Sequence, residues 1–233
     1  MHRRRFLAGA ALTGVSAFAG CVGGVGDAGM EGTGPTTGKD GGSTSASEEP
    51  QYRALDALDA QPVLGSLDRD RLIVAYEDPS CPTCRRFEQN TLPELTSKHI
   101  DTGVVAFVYR GFPVIYPWGK PATQAMEATF ARDEDAFWAL TDHYYAEQPS
   151  FTTDNVLAKT EAFLSAETDL DAAAIVQDAR DKAYDDAVQT DLDTGKAAGA
   201  SATPTFFLFV DGEFQTTVRG AQDLRVFESA LQL

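Results

Sequence analysis

The stretch "EDPSCPTCRRF", Glu77 to Phe87, carries two of the chain's three cysteines, Cys81 and Cys84, three residues apart. Such a pair can be a redox centre, half of a zinc site or a local structural disulfide. Zinc needs about four ligands, usually from a second cysteine pair or two histidines. The remaining cysteine is Cys21, far upstream, while His99 and His143 stand isolated in segments that read as helices. Covalent haem needs a histidine directly after the second cysteine, and Arg85 occupies that place. A structural disulfide stabilises most when it closes a long loop, which a two-residue spacer does not. Redox chemistry fits better. On a helix, residues i and i+3 have Cβ atoms roughly 5–6 Å apart, and a disulfide needs about 3.5–4.5 Å. The first helical turn is adjustable enough to close that gap and reopen it. Its N-terminus also favours a thiolate. Cys81, nearer the helix end, is the expected nucleophile, and Cys84 the thiol that resolves a mixed disulfide. Arg85 and Arg86 either add positive charge to the site or simply form an exposed helix face.

The flanking segments supply an order of elements. "RLIVAYE" (Arg71 to Glu77) reads as a buried strand. After the turn Asp78-Pro79-Ser80, "CPTCRRFEQNTLPELTSKH" reads as a helix, with Ser80 as N-cap and Pro82 tolerated in the first turn. "GVVAFVYRGF" (Gly103 to Phe112) is a second strand, completing a βαβ unit. Pro117 to about Gly199 reads as helical throughout. Phe130, Phe137, Leu140 and Tyr144 recur there at helical spacing, a stripe that signals core packing. "TPTFFLFVDGEFQTTVRG" is strand, Asp211-Gly212 turn and strand, the strongest hairpin signal in the chain. "DLRVFESALQL" closes it as a helix.

In this order the residues resemble the thioredoxin-fold, DsbA-like thiol–disulfide oxidoreductases. "PVLGSLDRDRLIVAYEDPSCPTCRRFEQNTLPEL" is similar to that family's first strand, active strand and active-site helix. "RGFPV" and "DAFWALTDHYYAEQ" resemble the segments around its inserted helical subdomain, and "AAGASATPTFFLFVDGE" its approach to a cis-proline loop. The resemblance covers about Pro62 to Leu233. It implies an α/β, thioredoxin-like fold: a central mixed sheet flanked by helices, with an all-helical subdomain inserted at about 117–199. It also implies that Thr203-Pro204 is cis, faces the cysteines, and presents the Thr203 backbone to an extended substrate peptide. Pro82, Thr83 and Glu77 are then neighbours of the active site. Two departures stand out. The family often has a buried carboxylate six residues before the nucleophile, where this chain has Ala75. Glu77, on the same strand face, is either its substitute or a solvated strand end, and its place at the strand's end favours solvation. The dipeptide between the cysteines is Pro-Thr, without a histidine to stabilise the thiolate, so a strongly oxidising potential is not implied.

Upstream, "MHRRRFLAGAALTGVSAFAGC" has three arginines and then a short apolar run ending on small residues. The run is too short and glycine-rich to span a bilayer, which takes about 20 apolar residues, and reads as an export signal. Arg3-Arg4-Arg5-Phe6-Leu7 resembles a twin-arginine signal, and Phe18-Ala19-Gly20-Cys21 a lipobox with Cys21 as the lipidated residue. Residues 1–20 are thus assigned as signal. Residues 21–51, rich in Gly, Ser, Thr and acid, form a disordered tether able to span about 30 Å, and 52–233 form the globular domain. The formal net charge of −16 makes nucleic acid an unsuitable partner. It also resembles the surfaces of proteins from salt-loving archaea.

The combined expectation is an enzyme anchored by lipid on the outer face of the cytoplasmic membrane. It would exchange disulfides with exported proteins, with no metal or organic cofactor and with an unidentified redox partner to recycle it. An oxidising setting favours disulfide donation. The alternatives are a reductase or isomerase of the same fold, a thiol-based copper carrier for exported oxidase assembly, and a redox-inactive peptide binder.

Overall fold

The computed structural model describes residues 49–233. The export signal, the lipobox at Cys21 and residues 21–48 of the expected tether lie outside the described residues. The tether's last two residues fall within a 3-10 turn, Pro50–Leu55, started by its proline. Among the described residues, no helix is long and apolar enough to cross a membrane.

Five strands form one mixed sheet in the order β1-β3-β2-β4-β5. They are β1 (Val63–Leu64), β2 (Arg71–Glu77), β3 (Val105–Gly111), β4 (Thr205–Val210) and β5 (Glu213–Arg219). β2 and β3 pair in parallel, Arg71 opposite Val105 through Glu77 opposite Gly111. β4 lies antiparallel to β2 on its other side, and β5 antiparallel to β4. Because the sheet is covered on both faces, its central strands read as continuous apolar runs. Ile73, Ala75, Phe107, Tyr109, Phe206 and Leu208 face the larger core with both cysteines. Val74, Tyr76, Val108, Phe207 and Phe209 face the smaller one, closed by Ala54, Ala198 and Ala200. Asp211 and Gly212 turn the final hairpin with φ of 53° and 78°, the left-handed pair that matches strand twist.

Helix α1 (Pro82–Asn90) follows β2, and α2 (Leu92–Leu95) and a π-turn (Thr96–Ile100) lead to β3. The single helix expected here is therefore segmented. Pro93 has no N–H to continue the ladder, and the path bends at Thr91, whose hydroxyl donates to the Gln222 carbonyl at 2.8 Å. Between β3 and β4 lie five helices: α3 (Gly119–Phe130), α4 (Glu134–Ala146), α5 (Val156–Glu167), α6 (Ala172–Asp181) and α7 (Asp185–Ala198). Asp133 and Asp171 cap α4 and α6 through the Ala136 and Ala174 amides, at 2.7 and 3.0 Å. Gly199 ends α7 in the left-handed region. Phe137, Leu140 and Tyr144 are buried, as their spacing predicts, and Phe130 is half-buried against the same core. Helix α8 (Leu224–Ala230) closes the chain over the sheet. The architecture is the mixed sheet with inserted helices that the resemblance implies.

The Phe87 ring anchors α1. It lies 4.4 Å from Phe206, 5.6 Å from Phe227 and 6.0 Å from Phe107, centroid to centroid. Burying such a ring contributes about 1.5–3 kcal/mol, enough to hold the helix, and the cysteines at its start, against the ends of β2 and β4.

Candidate active site

Strand β2 ends at Glu77, and the next three residues form a turn that the side chain of Asp78 organises. Asp78 Oδ1 accepts from the Ser80 amide at 2.7 Å and the Ser80 hydroxyl at 2.6 Å. Its Oδ2 accepts from the Val114 and Ile115 amides at 2.8 and 2.7 Å. The Ser80 oxygen in turn accepts from the Tyr116 amide at 3.0 Å. The turn before the cysteines is thus bound to the loop that exposes Val114, Ile115 and Tyr116 beside the site. Gly119 sits so close that a Cβ there would lie 2.5 Å from Asp78 Oδ1. Gln148 donates to the Pro79 and Cys81 carbonyls at 2.8 and 3.0 Å, fixing the turn from the helical side.

The hydroxyl of Ser80 being engaged by Asp78, Ser80 does not cap α1. The cap is Cys81, in extended conformation, whose sulfur accepts from the Cys84 amide at 3.5 Å. Pro82 opens the helix, where its missing N–H costs nothing. Both cysteines are free thiols. Cys81 retains 3% exposure and Cys84 none. The Thr203-Pro204 peptide is cis, and Cys81 Sγ donates to the Thr203 carbonyl at 3.3 Å. The buried Thr203 hydroxyl has no hydrogen-bond partner among the described residues. Its effect on Cys81 is to favour the thiolate.

The two thiols are driven apart in acidity. Hydrogen bonds from the Cys84 thiol, from Thr203 and from the Cys84 and Thr83 amides lower Cys81 to about 6, against the opposing effect of burial. Burial raises Cys84 well above the ordinary thiol range, and its hydrogen bond to Cys81 and the nearby Glu77 add to the rise. Neither Arg85 nor Arg86 is among the groups acting most strongly on either thiol. Arg85 donates to the Tyr145 carbonyl at 2.8 Å, tying α1 to the end of α4, and Arg86 reaches Thr83 at 3.3 Å on the surface.

Glu77 corrects the expectation of a solvated strand end: it is fully buried. The strand ends in sequence at Glu77, but α4 and α1 cover it. Its Oε2 accepts from the Tyr145 hydroxyl at 3.3 Å, and that hydroxyl meets the Tyr109 hydroxyl at 3.4 Å. Burial and the adjacent carboxyl of Glu88 raise Glu77 well above the carboxylate range. Ala75 faces the same core, without an acid.

Thus Cys81, Cys84, Pro82, Thr83, Thr203, Pro204 and Glu77 come together around the start of α1. Asp78, Glu88, Tyr145 and Gln148 escaped notice in the sequence. The Asp-Pro-Ser turn gave a local signal for Asp78, and Glu88 falls four residues after Cys84, on its helix face. Nothing local marks Tyr145 or Gln148. His99 pairs with Glu228 at 3.0 Å and His143 stacks on Phe163, ring centroids 4.1 Å apart. Among the described residues, no group of three or more His, Cys, Asp or Glu side chains is placed to hold a metal ion.

The sequence model of the family described as thioredoxin matches residues 58–229. The probable disulfide bond formation protein D of Bacillus anthracis is 26% identical over 154 residues, covering 65% of this chain and 71% of that protein. The disulfide bond formation protein D of Bacillus subtilis is 25% identical over 159 residues, covering 65% of this chain and 69% of its own. Among solved structures, oxidised BdbD from Bacillus subtilis superposes with a TM-score of 0.68 at 21% identity, over 76% of this chain and 93% of that one. This last likeness is one of fold.

Proposed function

We propose, since the chain belongs to the thioredoxin family, that it is a protein thiol–disulfide oxidoreductase that donates disulfides to exported proteins. In the oxidised enzyme a substrate thiolate attacks the Cys81 sulfur. The Cys81–Cys84 bond breaks, a substrate–Cys81 disulfide forms, and the electron pair leaves on Cys84, which takes up a proton. A second substrate thiolate then attacks the substrate sulfur, forms the substrate's own disulfide and releases Cys81 as thiolate. The protein is left as a dithiol, two electrons richer, for an unidentified partner to reoxidise. The Thr203 backbone before Pro204 holds the substrate as an added strand, and Glu77 serves as proton source for Cys84 in place of the acid missing at Ala75. No metal or organic cofactor enters these steps.

The observation that carries this reading is the asymmetry of the pair. Cys81 caps the helix and is lowered to about 6, whereas Cys84 is buried and raised. A thiolate stabilised in the reduced form is a good leaving group and biases exchange toward donation. The export and lipidation signals around Arg3–Arg5 and Cys21 support an extracytoplasmic, membrane-anchored setting, whose oxidising character suits a donor. Two measurements test the proposal. Cys81→Ser should abolish oxidation of a reduced, unfolded substrate protein. The reduction potential should lie above the roughly −270 mV of thioredoxin. A value at or below that point would move the assignment to a reductase.

A further inference from the structure

Two cavities adjoin one another on the side of the site that faces the inserted helices. The nearer, about 530 Å³, is lined by Pro82, Tyr116, Trp118, Phe151 and Thr153. The farther, about 550 Å³, shares Thr153 with it and reaches the corner between α6 and α7. Part of its lining is apolar, from Pro121, Leu157, Val188 and Leu192, and the rest carries Lys120, Arg180 and Lys182, all exposed. A concavity of this size suits a peptide segment or an organic ligand.

None of the three cations is in an ion pair among the described residues. The acids around them are engaged elsewhere. Asp178 is held by Arg132, and Asp181 by the Gln177 amide at 2.9 Å. Asp185, the one carboxylate on the lining, accepts from the Gln124 amide at 2.8 Å. Lys182 ends α6 in the left-handed region, with φ of 54°, where glycine is the usual residue. In a chain of net charge −16, three such cations around one concavity are a local exception. An acidic polypeptide is repelled by the field of the protein as a whole and attracted there, which steers its approach.

Resting on the function proposed above, we propose that this second cavity binds an acidic segment of the substrate protein and directs exchange toward substrates with acidic residues near the reacting cysteine. Lys120, Arg180 and Lys182 meet the carboxylates, and the shared wall at Thr153 leads the segment on toward Pro82 and Cys81.

The test opens the oxidised protein with peptides that carry one cysteine, a Gly-Ser spacer and a run of glutamates. The same peptides with glutamines serve for comparison, and each rate is divided by the peptide's thiolate fraction. Spacers of about two to eight residues, on either side of the cysteine, reach as far as roughly 25 Å. At the best spacer the glutamate peptide should react about tenfold faster than its glutamine twin at low salt, as three exposed charge pairs together provide. The advantage should shrink as salt is added. A variant with Lys120→Gln, Arg180→Gln and Lys182→Gly should lose the advantage and keep the glutamine rate. Its fold should be retained, because the three side chains are exposed and glycine suits the backbone at position 182. Glutamate peptides no faster than glutamine ones at every spacer overturn the proposal, as does an advantage that the variant keeps. A binding measurement needs no exchange. In the full chain, a cysteine-free glutamate peptide should shift the amide NMR signals of the α3, α6 and α7 residues lining the cavity, and their failure to move refutes the proposal. Shifts there with vesicles of anionic phospholipid and none with the peptide also overturn it, giving the cavity to a membrane surface. If excess reduced glutathione does not open the oxidised wild type, the functional reading fails instead, and the NMR titration still decides the cavity.

Discussion

Cys81 and Cys84 are three residues apart in one turn of helix, yet one thiol is made more acidic and the other less. The difference arises in what each sulfur meets. Cys81 occupies the capping position, where the Cys84 amide donates to it and Thr203 favours its thiolate, while Cys84 points into the core. A hydrogen bond to a charged group contributes about 1.5–3 kcal/mol, and a pKa unit corresponds to about 1.4 kcal/mol. Thr203→Val should therefore raise Cys81, by at most about one to two units, read from the thiolate absorbance of the reduced protein. The sign of the linkage to stability follows from the same shift. Cys81 is lowered in the folded dithiol from the ordinary value of 9.0 to about 6. Its contribution is thus complete above about pH 9 and disappears as pH falls through about 6. The denaturation midpoint of the reduced protein should gain on that of the oxidised protein as pH rises across this window. A constant difference between the two forms would show that the sulfur is not held as described.

At the scale of elements, the site is a junction: the end of β2, the start of α1, the cis-proline approach to β4 and the loop before α3. The Asp78 carboxylate joins two of these, with four hydrogen bonds divided between its own turn and the Val114–Ile115 amides. That crowding explains Gly119. An alanine Cβ would stand 2.5 Å from Asp78 Oδ1 and 2.8 Å from Ser80 Oγ, so Gly119→Ala should cost about 1–3 kcal/mol of stability, as overpacking does. By displacing the turn before Cys81 it should also slow disulfide exchange, measured with the same glutathione reaction. Much of this level could be read from the chain. The apolar run of β2, the Asp-Gly hairpin and the aspartate caps of the inserted helices are local signals acting over a few residues. The bend at Thr91 could not be read so, because its hydroxyl answers to Gln222, far along the chain. The cap was misplaced by one residue for a similar reason. Ser80 is a better capping residue than cysteine in general, but Asp78 already holds its hydroxyl.

Across the molecule, the inserted helices are bound to the sheet through a buried ion pair. Arg110, on β3, meets Asp191, on α7, at 2.7 Å, and both are fully or almost fully buried. Asp191 also accepts from the Gly111 amide at 2.9 Å and from Gln61 at 3.0 Å. Arg110 donates to the Asp56 carbonyl as well, so sheet, insertion and the N-terminal turns share one polar knot. Removing one charge strands the other, and Arg110→Ala should cost about 3–5 kcal/mol in chemical denaturation. Replacing both by apolar residues of similar volume, as in Arg110→Met with Asp191→Leu, should cost much less. The sequence by itself determined the cysteine pair and its spacing, the order of strands and helices, the final hairpin and the acidic charge, because each depends on residue type and short-range periodicity. Tertiary structure decided what those residues became. Burial by α1 and α4 turned Glu77 from a strand end into a buried acid, the register of β2 against β4 set Thr203 beside Cys81, and chain folding brought Tyr145 and Gln148 to the site. Solvent exclusion and hydrogen-bond geometry depend on residues distant in the chain, and those alone separate one thiol from the other.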